Sequence, residues 1–424
     1  MRGRILAAGR YVGPALLAGL VGCGDGPAGP PGPGPDDDLR GRFDLRPLGA
    51  IPYPPDNLRS PARIDLGRLL FFDPILSGEK DVACATCHHP DLAFADGRAF
   101  SVGAGGVGLG PDRLPSGSRL TGRPIGLEPR NSPTVLNAGF NADEAGLPSH
   151  RGLQFWDGRA AGLEAQARIP LASRTEMAGD AYPPEVAGDS VVSRLRAIPE
   201  YVRLFREAFP AEAGGPEDAA IVSLDTYGRA VGAYERELVT RETAFDAYAR
   251  GSNDALTERQ KRGLELFFTK ARCSLCHTGP MFSDFRFHVL GVPQIGDGKD
   301  VIPGDDTGRE EHTLDPADRY AFRTPTLRNV ALTAPYMHDG AFATLEEVVQ
   351  FYDDGARPRH SAVPDAMIDP VVRDPLSLTD DEILAIVAFL EALTDPGVGL
   401  DPLLLTVPAA VPSGLTPVFG VGAP

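Results

Sequence analysis

Four cysteines fall in two matching frames, Cys84-Ala-Thr-Cys87-His88 and Cys273-Ser-Leu-Cys276-His277. Two thiols separated by two residues, with an imidazole immediately after, form the attachment pattern of c-type haem. Thioethers hold two porphyrin vinyls, and the adjacent histidine offers a nitrogen to the iron. A zinc knuckle would use the cysteines as four thiolates, with a far shorter gap than the one between Cys87 and Cys273. A redox dithiol needs no histidine, so neither alternative explains why His follows both pairs. The chain has five cysteines. If the fifth, Cys23, belongs to an export signal, none is left for a structural disulfide. The cofactors expected are therefore two covalently bound haem c groups, with His88 and His277 as axial iron ligands. Such groups are attached outside the cytoplasm.

Two like cofactors need two like cradles, and the surroundings repeat. Upstream, Gly67-Arg-Leu-Leu-Phe71-Phe72 mirrors Gly263-Leu-Glu-Leu-Phe267-Phe268; downstream, Phe94-Ala95-Asp96 mirrors Phe282-Ser283-Asp284. Two copies imply two related haem domains, residues 41–245 and 246–395. Each opens with a helix carrying an apolar stripe, the first at Ser60-Pro61 and the second at Thr257. Helical spacing continues over Asp189–Phe209 and Glu217–Thr240. Thr344-Leu-Glu-Glu347 and Thr379-Asp-Asp-Glu382 fit capping boxes, starting helices that run to about Asp354 and Leu393. Residues 100–129 are Gly-rich and irregular, and strand signals are few. The fold expected is mainly α: two cytochrome c-like haem domains with long loops.

Composition narrows the function. A net charge of −17 and a pI near 4.9 argue against nucleic acid, which needs a basic stripe. With 49 glycines and 41 prolines the chain is loop-rich. Arg2 and Arg4 precede an apolar run, Ile5 to Gly22, too short for a convincing membrane span. The run ends Leu20-Val21-Gly22-Cys23, which resembles a bacterial lipobox, so residues 1–23 read as a lipoprotein signal and Cys23 as the lipidation site. A Gly/Pro-rich tether over 24–40 follows. The expectation is an extracytoplasmic, periplasmic protein held to the membrane through a lipid anchor. The Pro-rich tail, 396–424, has no role assignable from sequence.

Read singly, Glu176 is a solvated acid, Trp156 a core residue, Asn131 a turn residue and Tyr352 a core tyrosine sharing a face with Leu345, Val348 and Val349. In combination they resemble the bacterial dihaem cytochrome c peroxidase and MauG family over roughly residues 50–395. The matching stretches are Pro129-Arg-Asn131-Ser-Pro-Thr-Val-Leu-Asn137, Phe155-Trp156-Asp157-Gly158-Arg159, Glu164-Ala-Gln166, Glu176-Met177, and Thr324 through Pro335-Tyr336-Met-His-Asp-Gly340.

The resemblance implies a peroxidase that reduces H2O2 at the N-terminal haem, with a small electron-donor protein (a cytochrome c or a cupredoxin) feeding the second haem. It assigns Gln166 and Glu176 to the distal pocket and Trp156, the sole tryptophan, to electron transfer between haems. It implies a calcium ion held by the Asn131 side chain and the carbonyls of Thr333 and Pro335, and leaves room for a homodimer. A MauG-like enzyme that oxidises a protein side chain at long range is the alternative within the class.

Two positions set the subclass. Many dihaem peroxidases carry a distal His shortly before the Arg-Asn-Ser-Pro stretch; here no His lies between His89 and Asn131, so the first iron is expected to be five-coordinate. His89 adjoins the proximal ligand, and His150 reads as a surface residue. For the distal ligand of the second haem, residue type alone favours Met337, whereas the family register favours Tyr352. A phenolate ligand would lower that haem's potential, a MauG-like trait. Against this, MauG has a relay tryptophan two residues before the second motif, where this chain has Ala271. A purely electron-transferring cytochrome would close both irons, which the missing distal His and the retained Gln166 and Glu176 oppose.

Overall fold

The structure, a computed structural model, describes residues 35–211, 221–296, 305–397 and 400–420. Cys23 and the rest of the lipobox lie outside the described residues. The fold is helix-rich with few strands. Its helices are α1 (Pro35–Arg42), α2 (Pro61–Phe72), α3 (Cys84–Cys87), α4 (Leu163–Gln166), α5 (Pro184–Arg196), α6 (Pro199–Ala208), α7 (Leu224–Glu235), α8 (Ala244–Ala249), α9 (Glu258–Phe268), α10 (Glu310–Thr313), α11 (Leu345–Asp353) and α12 (Asp380–Glu391). Among the described residues the named strands pair as three two-residue antiparallel ribbons, 106–107 with 114–115, 153–154 with 160–161, and 287–288 with 322–323.

Local chemistry accounts for most boundaries. Thr257, Thr344 and Thr379 each accept a hydrogen bond from the backbone N–H three residues on, closing capping boxes at α9, α11 and α12. Ser60 occupies the N-cap of α2 without a side-chain bond. The single helix expected over 189–209 is instead two, α5 and α6. Pro199 has no N–H to donate into the preceding turn, so the chain breaks after Arg196 and restarts at the proline. The next helix, α7, ends at Glu235 rather than Thr240; its expected start at Glu217 lies outside the described residues.

Two helix crossings organise two apolar cores. Where α2 meets α7, a Cβ on Gly67 would lie 1.9 Å from Ala230 O; where α9 meets α12, one on Gly263 would lie 1.8 Å from Ala385 O. Any larger residue would force the helices apart, so the glycine repeat seen in the sequence is a repeat of close crossings. The first core holds Leu70, Phe71, Phe72, Tyr201, Phe205 and Tyr234, and the second Leu264, Phe267, Phe282, Ile386 and Phe389. Ring pairs knit both, Phe71 with Tyr234 at 5.2 Å and Phe267 with Phe389 at 5.3 Å.

The chain ends cross over. The expected tether over 24–40 overlaps α1, and Phe43 just beyond it stacks on Phe268 of the second core at 4.7 Å. The tail runs back to the first core, burying Val411 and Val418. Val418 N–H donates to Phe72 O, and Thr86 Oγ1, inside the first Cys frame, donates to Val418 O, both at 2.9 Å.

Candidate active site

The two Cys frames line two cavities, one with Cys84, Cys87 and His88 in its wall and the other with Cys273, Cys276 and His277. In each, the imidazole that follows the Cys pair is fixed the same way. His88 Nδ1 lies 3.1 Å from Phe94 O and His277 Nδ1 lies 2.9 Å from Phe282 O. A carbonyl only accepts, so Nδ1 carries the proton and Nε2 keeps its lone pair for a metal. Burial pushes both imidazoles below their ordinary pKa, despite those carbonyls, and so favours the neutral, ligating form. These two Phe residues are the ones matched in the sequence repeat.

A second repeat, missed by sequence reading, braces the residue before each of those Phe. Pro133-Thr134-Val-Leu-Asn137 parallels Pro325-Thr326-Leu-Arg-Asn329. Thr134 Oγ1 donates to Ala93 O at 2.6 Å, and Thr326 Oγ1 to Met281 O at 2.7 Å, each one residue before the Phe. The signal was in the sequence, as Pro-Thr with Asn three residues after the threonine. It was read only as part of a family motif.

The first cavity gathers the expected distal residues. Gln166, the last residue of α4, and Glu176 both line it. Glu176 lies in a single π-turn, Arg174–Ala178, whose start Ser173 accepts from its backbone N–H at 3.2 Å. The Gly-rich loop serves this turn. A Cβ on Gly103 would lie 2.1 Å from Thr175 O, and buried Arg113 ties the loop down by donating to Val102 O and Gly103 O at 2.6 and 2.8 Å. Among the described residues lining this cavity His88 is the only histidine. His89 is buried elsewhere, with Nδ1 accepting from Asp91 N–H, and His150 lies in a turn away from the lining.

Two further acids, Glu128 and Glu235, line the same cavity. Neither was singled out from sequence, because an acid ending an amphipathic helix, as Glu235 does, reads as a solvated face.

Trp156 lines both cavities. Its indole Nε1–H donates to Asn131 O at 2.9 Å, and its own carbonyl accepts from Arg323 N–H at 2.8 Å. Thus one proline loop grips the ring and the other grips the backbone. Beside it Arg130 is almost fully buried, forked onto Asp306 at 2.7 and 2.6 Å and onto Asp157 at 2.7 Å. Burial opposes the Asp306 charge, but that fork overrules it and holds the carboxyl well below the usual carboxylate range.

Asn131, Thr333 and Pro335 share the wall of the first cavity, and Asn131 Nδ2 lies 3.5 Å from Pro335 O and 2.7 Å from Arg98 O. The second cavity is lined by both Tyr352 and Met337, and Met337 reaches the first cavity as well. Burial, then the neighbouring Cys273 and Cys276, push the Tyr352 hydroxyl well above its ordinary pKa. Ala271 is buried in the second core. Cys276, Asp284 and His288 place ligand atoms within 4.8 Å of one another. However, His288 is already held by Asp284 at 3.0 Å and Asp369 at 2.7 Å, an ion-pair arrangement rather than an open metal site.

The family model for di-haem cytochrome c peroxidase matches residues 61–254. The chain is 36% identical over 373 residues to the methylamine utilization protein MauG of Methylorubrum extorquens, covering 87% of both chains. It is 37% identical over 330 residues to the cytochrome c551 peroxidase of Pseudomonas aeruginosa, covering 78% of both. Among solved structures, a MauG-like protein associated with microbial copper homeostasis matches with a TM-score of 0.66 at 30% identity, over 85% of this chain and 95% of that one.

Proposed function

The chain belongs to the di-haem cytochrome c peroxidase family, and on that premise we propose that it reduces H2O2 in the first cavity with electrons that enter at the second. It is an oxidoreductase of the peroxidase class, carrying two haem c groups. The observation that carries the assignment of roles is the convergence of Gln166 and Glu176 on the cavity of His88, with Trp156 common to both cavities.

The cofactor fits the donor set. Each cavity offers two thiols for thioether bonds and one imidazole whose Nδ1 is committed to a carbonyl. Haem, when bound, supplies the coordination position and the electrons for breaking the O–O bond. The chain's residues do the rest. His88 Nε2 would hold the first iron. Glu176 takes the proton from one peroxide oxygen and returns it to the other, a transfer that needs a carboxylate within hydrogen-bond reach. Gln166 orients the peroxide by its amide, Trp156 provides the indole between the two centres, and His277 and Tyr352, which line the second cavity, would hold the second iron. The two cores correspond to two cytochrome c-like haem domains, 41–245 and 246–395.

For calcium, Asn131 and Pro335 already approach one another, and turning the Asn131 amide would direct Oδ1 to the same point. With Thr333 O, that gives three neutral oxygens for a hard cation that retains several waters. The donor is a small redox protein, a cytochrome c or a cupredoxin, and the assembly admits a homodimer. No helix of the described residues is long and apolar enough to cross a membrane. Lipidation at Cys23 would tether the protein outside the cytoplasm.

A MauG-like reading is favoured by one observation, the presence of Tyr352 in the wall of the second cavity. Electron paramagnetic resonance on the fully oxidised holoprotein, before and after one equivalent of H2O2, tests the site. A high-spin ferric signal that vanishes with peroxide supports an open first haem. Signals indifferent to peroxide until half-reduction would overturn the five-coordinate assignment. Turnover with a cytochrome c donor then separates the peroxidase from the protein-oxidising reading.

A further inference from the structure

Glu235 is the last residue of α7 and lines the first cavity together with Gln166 and Glu176. It is only 4% exposed, and its Oε2 is buried with no hydrogen-bond partner in the protein. A carboxylate so placed is disfavoured as an anion, since burial removes water from Oε2 and no hydrogen bond replaces it. Its surroundings act in the same sense. The C-terminal end of a helix presents partial negative charge, and Glu164 on α4 adds a full one. Arg236 is adjacent, but both its terminal nitrogens are given to Glu164, at 2.6 and 2.8 Å. Tyr227, Tyr234 and Cys84 face the carboxyl too, and none of them carries charge at neutral pH. Burial pushes Glu235 up to about 8, with Arg236 opposing and Glu164 adding, so that it holds its proton at neutral pH.

The reaction needs such a group. Each turnover is H2O2 + 2e− + 2H+ → 2H2O. Glu176 moves a proton that peroxide itself brought, so neither of the two protons consumed comes from that transfer. We propose that Glu235 is the proton reservoir of the peroxide pocket. Its carboxylic acid delivers one of the two protons that make the second water and is reprotonated from solvent before the next turnover. The second proton comes from solvent directly, and both electrons come from the donor protein by way of the second haem. The inference rests on the peroxidase reading. Glu235 acts through Glu176 rather than on peroxide, so it is a positioning residue for the proton.

The experiment compares the holoprotein with its E235Q and E235D variants. E235Q should keep both haems and a KM for H2O2 within about twofold. Its kcat should fall about tenfold near neutral pH, with most of the loss restored in E235D. Wild-type kcat should decline as pH rises through about 8, and that decline should be absent in E235Q. A second readout needs no turnover: the infrared C=O band of a protonated carboxyl, present in wild type at neutral pH, lost on raising pH through the same range, and missing from E235Q. An E235Q enzyme with unchanged kcat and pH profile overturns the reservoir and leaves the peroxidase reading standing. A wild type with no peroxide turnover overturns both. Should E235Q fail to load haem, the wild-type infrared titration decides alone, and absence of the band rejects the proposal.

Discussion

Asn137 and Asn329, one from each proline loop, donate from their side-chain amides to the same hydroxyl oxygen, Thr240 Oγ1, at 2.5 and 2.9 Å. Both have left-handed backbone, φ 61° and 60°, at the start of a short 3-10 turn. The relation extends to the backbone: Asn137 N–H donates to Leu238 O and Asn329 N–H to Leu393 O. Thr240 is thus the point where the two proline loops meet. Replacing it with valine keeps the shape and leaves two buried amides short of an acceptor, at about 1–3 kcal/mol each. Thermal unfolding of the holoprotein should show a lower Tm for T240V and a nearly unchanged one for T240S.

Glu176→Gln tests the proposed proton shuttle, because it removes the carboxylate while keeping its size. The expected loss in kcat/KM for H2O2 is about 10²- to 10⁴-fold, with haem content and Tm unchanged. Stopped-flow mixing with peroxide measures it. A variant with wild-type rates would remove Glu176 from the chemistry.

Trp156→Phe separates the first event from the whole cycle. The reaction of the first equivalent of H2O2 should stay fast, because Gln166, Glu176 and His88 are untouched. Steady-state turnover with a donor should drop, since electrons must then pass between cavities without the indole. The variant also loses the bond to Asn131 O, about 1 kcal/mol of stability.

Tyr352 and Met337 are distinguished by potential and spectrum. If Tyr352 ligates the second iron, Y352M raises that haem's reduction potential and M337L leaves it in place. Burial holds the free phenol neutral, so the ligating phenolate depends on the charge of the metal. Redox titration of the two variants settles which side chain is bound.

The fully buried pair Asp246–Arg328, bidentate at 2.8 and 2.8 Å, makes an acid-stability prediction. Burial opposes the Asp246 charge, yet the Arg328 fork and Thr243 bring its carboxyl below the ordinary value. A depressed folded pKa means stability that is fully present above the unfolded carboxylate value, about 4, and lost as pH falls through the lower folded one. Asp246→Asn strands the arginine, at about 3–5 kcal/mol. Its Tm deficit against wild type should be large at neutral pH and shrink only in strong acid.

The haem frames, the repeat that begins at Gly67 and Gly263, and the capping threonines were legible because each is local, whereas the close crossings those glycines make with Ala230 and Ala385 were not. A few residues at fixed spacing carry the whole chemical requirement. The same holds for Gln166, Glu176 and Trp156, whose motifs the family resemblance made readable. The break at Pro199 was also local, and was missed because apolar periodicity continues across it.

What only the tertiary structure decided depends on segments far apart in the chain. The tail sealing the first Cys frame, the meeting of both asparagines at Thr240 and the grip on Trp156 from two loops leave no periodic trace in sequence. Glu235 is the clearest case. Its position at the end of an amphipathic helix looks solvated until Glu164 of α4 and Cys84 come up against it, and burial, not residue type, pushes its carboxyl up. Sequence determined which chemistry the chain can hold, because covalent attachment and capping are matters of residue type and spacing. The fold decided which acids face the first cavity, because desolvation and unpaired lone pairs exist only after distant surfaces have met.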